Sequence, residues 1–373
     1  MKIKKKINWQ KLQKEMVVVA LSGGLDSSVA ATLLKKTGFE VVGIFMKFWS
    51  EPEKDGLVGI SNRCCSSEAE MRARKVAKIL KIPFYIFNFE KEFKKRIVDC
   101  FLDSYKRAWT PNPCVVCNKE IKFGLLLEKA LKLNADFVAT GHYARKREIK
   151  DKGSKTIYKL LRAKDHQKDQ SYFLWMLNQD QLKKILFPIG DYKRSEVESL
   201  AKIFKLDFLL KVKKSTEICF IQKTVNDFLR KYLKEKPGKI VDVQGKIVGQ
   251  HNGLWFYTIG QRKGIKLAGG PYYVLDKNLK NNVLIVTKNE KDLYNKELIA
   301  KNVNWLSGRE PSIPLKVKVK IRYRSNFALA KITKKLKDKS YKLIFEKPQR
   351  AITPGQSVVF YQKDELLGGG IIC

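Results

Sequence analysis

Val17-Val18-Val19-Ala20-Leu21-Ser22-Gly23-Gly24-Leu25-Asp26-Ser27-Ser28 is the stretch that decides the fold. Residues 17–21 are short, β-branched and bounded by glycine, the reading of a strand buried on both faces of a parallel sheet. From Asp26 to Lys36 the chain turns to alanine and leucine with helical apolar spacing. A strand, a tight serine-glycine turn and a helix start together make an anion site. Gly23 and Gly24 let the backbone approach a phosphate, and the amides of the first helical turn point at it. No Gly-Lys-Ser/Thr is present after the turn, so this is not a Walker loop.

Working outward, strand-like and helix-like segments alternate over the first 210 or so residues, the signature of a doubly wound parallel α/β sheet. Strands are expected at Val17–Leu21, Glu40–Met46, Phe84–Asn88 and Phe137–Thr140. Helices are expected at Ser27–Lys36, Ser67–Leu80, Phe93–Tyr105 and Phe123–Leu133. Ligands of such sheets bind beyond the carboxyl ends of the strands. Ser22–Gly24, Met46 and Gly141-His142 all fall there, which points to a nucleotide crevice. Beyond residue 225 the texture changes to hairpin signals at Val243–Lys246 and Leu267–Pro271, then to alternating strands that suit a small β-barrel.

At ~100–200 residues per domain, 373 residues imply two or three domains. No apolar run of membrane-spanning length occurs, so no membrane partner is expected. Lys2 to Glu15 is basic without an apolar h-region, so a cytoplasmic location is expected. Lys and Arg total 76 against 37 Asp and Glu, a formal net charge of +39. One placement stands out. From Leu315 to Arg324 the chain alternates strictly, setting Lys316, Lys318, Lys320, Arg322 and Arg324 on one expected strand face. Like charges repel along one face, so the pattern expects a polyanion such as nucleic acid.

The 7 cysteines are too few and scattered for a disulfide scaffold. Cys100 falls in an amphipathic stretch and is expected in the core; a buried, inert pair is expected at Cys64-Cys65. Cys114 and Cys117 lie in Thr110-Pro111-Asn112-Pro113-Cys114-Val115-Val116-Cys117-Asn118-Lys119. The two prolines predict an extended loop ahead of the next helix, where helix-start amides and Lys119 would favour thiolate. A single CxxC also fits metal binding. Cys219 lies far downstream in Ser215–Phe220.

The Ser-Gly-Gly-x-Asp-Ser loop resembles the pyrophosphate loop of ATP enzymes that adenylate a carbonyl oxygen. Taken in order, Ser22–Ser28, Thr110–Phe123, Ala139–Arg145, Lys168–Leu174, Ser215–Ile221, Gly249–Gly264, Arg322–Arg324, Thr353–Ser357 and Leu367–Ile371 resemble the bacterial-type tRNA 2-thiouridylase family. The resemblance implies a catalytic, adenine nucleotide hydrolase-like domain over residues 1–222, a central β-rich domain over 223–286 and a tRNA-binding β-barrel over 287–373. It implies that Ala20, Leu21, Ser22, Gly23, Gly24, Leu25, Asp26, Ser27, Met46 and Gly141 hold ATP, with Mg²⁺ screening the phosphates. Asn112, Pro113 and Cys114 would lie against the target base with His142 and Gln356 nearby. Lys168, Asp169, Gln170, Arg322 and Tyr323 would contact tRNA.

The family's scheme adenylates the carbon-2 oxygen of the wobble uridine, position 34, and then replaces it with sulfur. In that scheme Cys219 carries a persulfide, delivered by a cysteine desulfurase or a sulfur-relay protein, and Cys117 attacks it to release sulfide or form a Cys117–Cys219 disulfide. One departure matters: many members carry Asp where this chain has Cys114. The change also creates a set of three thiols, Cys114, Cys117 and Cys219, able to ligate a 4Fe–4S cluster with one iron open to sulfide. The sequence leaves both routes open. Synthetases that adenylate small molecules share the loop but need neither these cysteines nor a basic β domain.

Overall fold

The computed structural model describes residues 15–51, 66–150, 153–212, 218–336 and 340–373. Lys2–Lys6, Cys64, Cys65 and Ser215–Glu217 lie outside the described residues. The amino-terminal half contributes β1 (Met16–Ala20), β2 (Glu40–Lys47), β3 (Phe84–Asn88), β4 (Phe137–Ala139), β5 (Ala144–Lys150), β6 (Thr156–Arg162) and β7 (Ile185–Leu186). Five of these form a parallel sheet in the order β3-β2-β1-β4-β7. Val17, Val18 and Val19 of the central strand are at most 1% exposed, as a strand covered on both faces requires. The chain runs outward through β2 and β3 and then returns to the other side of β1. The order therefore reverses between β1 and β4, where open α/β sheets bind ligands.

Helix α1 (Leu25–Lys36) succeeds β1, and α2 (Ser67–Leu80) succeeds β2. Residues 90–106 are helical throughout, but Lys94–Asp99 is a π-helical turn. The extra residue in that turn rotates the downstream helix, so Cys100, expected in the core, faces solvent. Among the described residues no helix is long and apolar enough to cross a membrane.

The middle of the chain forms β8 (Gly238–Val241), β9 (Ile247–His251), β10 (Tyr273–Asn278) and β11 (Val283–Thr287), in the order β10-β11-β8-β9. The first hairpin signal is right: β8 and β9 are antiparallel across a turn with Gly245 at φ +85°. The second is not. Leu267–Pro271 lies in a long irregular approach to β10, with no strand leading into it.

The last third contains β12 (Tyr294–Trp305), β13 (Leu315–Lys320), β14 (Ala328–Lys335), β15 (Tyr341–Arg350), β16 (Ser357–Gln362) and β17 (Glu365–Ile372). They run β12-β15-β14-β13-β16-β17, and β12 pairs with β17 to close a six-strand barrel. The β5–β6 hairpin of the first half extends this sheet, with Leu160 opposite Leu366 on β17. A single apolar core including Phe123, Trp175, Val359 and Tyr361 fills the junction. The Trp175 indole donates to Ser357 Oγ at 3.0 Å, and the Asn304 amide donates to the Trp175 and Leu177 carbonyls at 2.7 and 2.8 Å. The α/β half and the barrel are thus packed together at this seam.

The expected five-cation strand needs correction. Strand β13 stops at Lys320, and residues 321–325 turn. Lys316 and Lys318 are exposed, whereas Lys320 lies over the Phe327 ring and Arg322 bends inward.

Candidate active site

The loop after β1 is braced internally. Ser27 Oγ accepts from Ser22 N–H at 3.2 Å and donates to the Gly24 carbonyl at 3.2 Å, with Ser22 Oγ also at 3.2 Å. Gly23 has φ +68°, and a Cβ there would lie 2.0 Å from the Ala69 carbonyl oxygen on α2. Arg72 of the same helix donates to the Gly23 carbonyl at 3.1 Å. Gly24 caps α1 without any side-chain hydrogen bond, unlike Ser66, which caps α2 through Ala69 N–H. Glycine at the cap thus offers the first α1 amides no side-chain acceptor of its own at the switch point, where the helix dipole favours an anion.

The loop after β4 meets this turn closely. A Cβ on Gly141 would lie 2.5 Å from Ser27 N. Asp26 is tied across the gap: Oδ1 accepts from the Tyr143 hydroxyl at 3.0 Å and from Arg194 Nη1 at 2.5 Å. Arg194 also donates to Glu198 at 2.7 Å. Burial, and then the Asp26 charge, push the Tyr143 phenol well up, so it stays a donor. Arg72 and Arg194 carry no local sequence signal, and Tyr143 lies within Ala139–Arg145 but its tie to Asp26 spans 117 residues, so the sequence alone assigns none of the three a role.

Cys114 and Cys117 stand on a helix rather than on the expected loop. Pro113 occupies the first helical turn of Pro113–Cys117, where its fixed φ favours helix entry, and the helix runs on through a π-helical turn at Asn118–Leu125. Cys114 is partly exposed and Cys117 is 7% exposed within the α/β core. Cys219 packs against that same core. Cys114, Cys117 and Cys219 are all thiols. Lys119 faces Glu120 at 3.7 Å. The Oγ1 of Thr110 and the Oδ1 of Asn118 are buried without a partner among the described residues. Such orphaned groups are rare outside functional sites.

His142 links the two halves of the site. It is next in the chain after Gly141 and packs at 5.8 Å between ring centres against Phe123, on the helix that carries the cysteines. It is 9% exposed, its Nδ1 lies 2.7 Å from Thr140 Oγ1, and burial followed by the Lys122 charge holds its pKa well below 6.5. The imidazole is neutral at physiological pH.

The residues expected at RNA divide. Asp169 is buried: Oδ1 accepts from the Ala163 and Ser171 amides at 3.1 and 3.2 Å, and Oδ2 from the Ser171 hydroxyl at 3.1 Å. Its carboxylate holds the turn at residues 163–171. Gln170 is tied to Tyr143, its Oε1 accepting from the Tyr143 amide at 2.9 Å, while Lys168 is partly exposed. Tyr323 packs on Phe173 with ring centres 4.3 Å apart and the rings tilted by 43°. Gln356 Nε2 donates to the Thr110 carbonyl at 2.9 Å, and Arg322 donates to the Ala351 carbonyl and Thr353 Oγ1 at 2.6 and 2.7 Å. Met46 is partly buried at the carboxyl end of β2.

Among the described residues no three His, Cys, Asp or Glu side chains converge on a metal-sized site. Cys114, Cys117 and Cys219 as placed do not fit a 4Fe–4S cluster, and no step is derived through one. Mg²⁺ likewise meets no ready cage of protein ligands among the described residues.

Comparison with known proteins decides the family. The chain is 43% identical over 371 residues to the tRNA-specific 2-thiouridylase MnmA of Buchnera aphidicola subsp. Acyrthosiphon pisum (strain APS), covering 96% of this chain and 97% of that one. It is 47% identical over 362 residues to the tRNA-specific 2-thiouridylase MnmA 2 of Thermoanaerobacter sp. (strain X514), covering 95% and 97%. The chain belongs to the tRNA-specific 2-thiouridylase family. Family models described as tRNA methyl transferase HUP domain, tRNA methyl transferase PRC-barrel domain and aminomethyltransferase beta-barrel domain match residues 15–223, 226–288 and 295–372 of this 2-thiouridylase family member. Among solved structures, the U34-tRNA thiolase NcsA from Methanococcus maripaludis with its [4Fe-4S] cluster is 19% identical. It covers 60% of this chain and 68% of its own with a TM-score of 0.33, a likeness too low to bear on any residue.

Proposed function

We propose that this protein is an ATP-dependent tRNA sulfurtransferase that converts the carbon-2 oxygen of the wobble uridine, position 34, to sulfur. The observation that carries the reading is the junction at the switch point. The glycine-capped start of α1 touches Gly141, His142 is the next residue, and His142 packs on the helix bearing Cys114 and Cys117. One crevice can then take phosphates at one end and a base at the other. In this reading residues 1–222 catalyse, 223–286 form a central module, and the barrel over 287–373 helps hold the tRNA.

The uridine carbon-2 oxygen attacks the α-phosphorus of ATP, the α–β anhydride breaks, and pyrophosphate leaves. Gly23, Gly24, Leu25 and Ser27 would receive the phosphates on backbone amides, with Ser22 bracing the turn through Ser27 Oγ, Ala20, Leu21 and Met46 flanking the adenosine and Asp26 fixing the loop. Amides aimed at developing negative charge lower the barrier without reorganising. The adenylated uridine then needs a sulfur nucleophile. A persulfide on Cys219 supplies it: the Cys117 thiolate attacks the inner sulfur, a Cys117–Cys219 disulfide forms, and hydrosulfide leaves. Hydrosulfide adds to carbon 2, and AMP departs with the original oxygen. An external thiol returns two electrons to the disulfide. Asn112, Pro113 and Cys114 would sit against the base, with Lys168 and Tyr323 on the RNA. The persulfide comes from a cysteine desulfurase or a relay protein, and the setting is the cytoplasm.

Incubating unmodified tRNA with ATP and a persulfide donor, then digesting to nucleosides for mass spectrometry, tests this. The expected result is 2-thiouridine in step with AMP and pyrophosphate. ADP as the product, or sulfur on another nucleoside, would overturn the reading.

A further inference from the structure

We infer that the barrel builds the loop that leads into the cysteine-bearing helix: residues 351–357 form a strap that positions Thr110–Asn112, and with it Cys114, with Arg322, Gln356 and Tyr172 as its positioning residues. The inference rests on the reading of Cys114 and Cys117 as lying at the reacting base. Three sets of contacts carry it. First, the strap is laid directly on the loop. The Thr110 amide donates to the Pro354 carbonyl at 2.9 Å, and Gln356 Nε2 donates to the Thr110 and Pro111 carbonyls at 2.9 and 3.5 Å. Gly355 has φ +89°, and a Cβ there would lie 2.9 Å from both Thr110 N and Trp109 Cβ, so only glycine allows this approach. Second, the strap is itself fixed from within the barrel. Arg322 donates to the Ala351 carbonyl and Thr353 Oγ1, the Ala351 amide donates to the Leu293 carbonyl at 2.7 Å, and the Gly355 amide donates to the Ile372 carbonyl at 2.9 Å. Third, Tyr172 closes the far side. It is 1% exposed, its hydroxyl donates to the Ser357 carbonyl at 2.9 Å, and the Asn112 side chain lies beside the same phenol.

The two prolines give the loop little stiffness of their own beyond their φ angles, since a proline nitrogen cannot donate. What holds its backbone is the strap. A guanidinium committed to a carbonyl and a hydroxyl inside the protein has fewer donors left for phosphate, so Arg322 acts on the site through the strap. A barrel engaged by RNA would thereby bear directly on where Cys114 and Cys117 stand.

The test reads loop position rather than turnover. Full-length protein, without RNA or ATP, is treated with iodoacetamide, and the labelling rates of Cys114 and Cys100 are tracked by peptide mass spectrometry. Cys100 is exposed and its thiol bonds within its own helix, to the Lys95 carbonyl, so it serves as the internal control. Gln356→Leu and Arg322→Lys should each raise Cys114 labelling about fivefold, the population change for losing one ordinary hydrogen bond, with Cys100 unchanged. In parallel, tRNA affinity should stay within about twofold while single-turnover thiolation falls about tenfold, the signature of misplacement rather than lost binding. Cys114 labelling unchanged in both folded variants overturns the inference, whatever happens to tRNA affinity. Should no 2-thiouridine form even with the unaltered protein, the functional reading fails while the labelling result still decides the strap.

Discussion

Gly24→Ala separates what the fold needs from what a nucleotide needs. Gly24 sits at φ −99° and ψ 164°, an extended conformation open to any residue, and a Cβ there meets nothing nearer than Ser22 Oγ at 3.4 Å. As an N-cap, alanine is worse than glycine by about 0.5–1 kcal/mol. Against this, alanine narrows the unfolded ensemble by about 0.4–1 kcal/mol. The terms offset, so the melting temperature should move by no more than about 2–4 °C, the shift about 1 kcal/mol produces in a domain of this size. A phosphate on the first α1 amides changes the balance. The methyl then occupies the approach, and overpacking by one carbon costs about 1–3 kcal/mol, or about 5- to 150-fold in kcat/KM for ATP. The assay is pyrophosphate release from ATP with saturating unmodified tRNA, beside a thermal melt and tRNA binding. Unchanged melting and tRNA binding with kcat/KM lost by that factor is the expected result. A kcat/KM within about twofold of the parent would refute the placement of the phosphates.

Two further predictions rest on charge. Burial holds the pKa of His142 well below 6.5 and also lowers that of His251, so the unfolded chain binds more protons than the folded one below that value. Stability contributed by the neutral rings is fully present above about pH 6.5 and is lost as pH falls below it; urea midpoints should drop between about pH 6.5 and 5, and drop less in His142→Phe. A flat midpoint over that window contradicts the burial argument. On the barrel, Lys316 lies opposite Lys331 across β13 and β14, both exposed. Lys316→Gln with Lys331→Gln should weaken tRNA binding and reduce the salt slope by about 1–2, roughly 0.9 per lost phosphate contact; an unchanged slope would take this face off the RNA.

Much of this architecture was legible in the sequence because it is local. The β-branched run at Val17–Val19 and the alanine-rich turn after Asp26 specify a strand and a helix wherever they occur, and the Ser/Gly turn between them marks the anion site. Local pattern also misled. Alternation from Leu315 to Arg324 continues past the end of β13, because Arg322 is turned inward by Ala351 and Thr353, 29 and 31 residues away. Pro113 is compatible with both an extended entry and a first helical turn, and the structure takes the second. Cys100 changes face through a π-helical turn that helical spacing does not reveal. The bracing of Asp26 by Tyr143 and Arg194 spans 117 and 168 residues, so no window of sequence contains it. Nor does any window contain the pairing of the β5–β6 hairpin with β17.

The most direct test of a two-stage reaction is rapid-quench analysis of a protein carrying Cys117→Ser and Cys219→Ser, mixed with ATP and unmodified tRNA. Activation by the Ser22–Ser27 loop and sulfur transfer by the cysteines are separate steps in this account. It therefore predicts a stoichiometric burst of pyrophosphate, adenylate retained on the tRNA, and no 2-thiouridine. Absence of the burst would make the cysteines part of the activation step, and 2-thiouridine formed without them would remove them from sulfur transfer; either result contradicts the account.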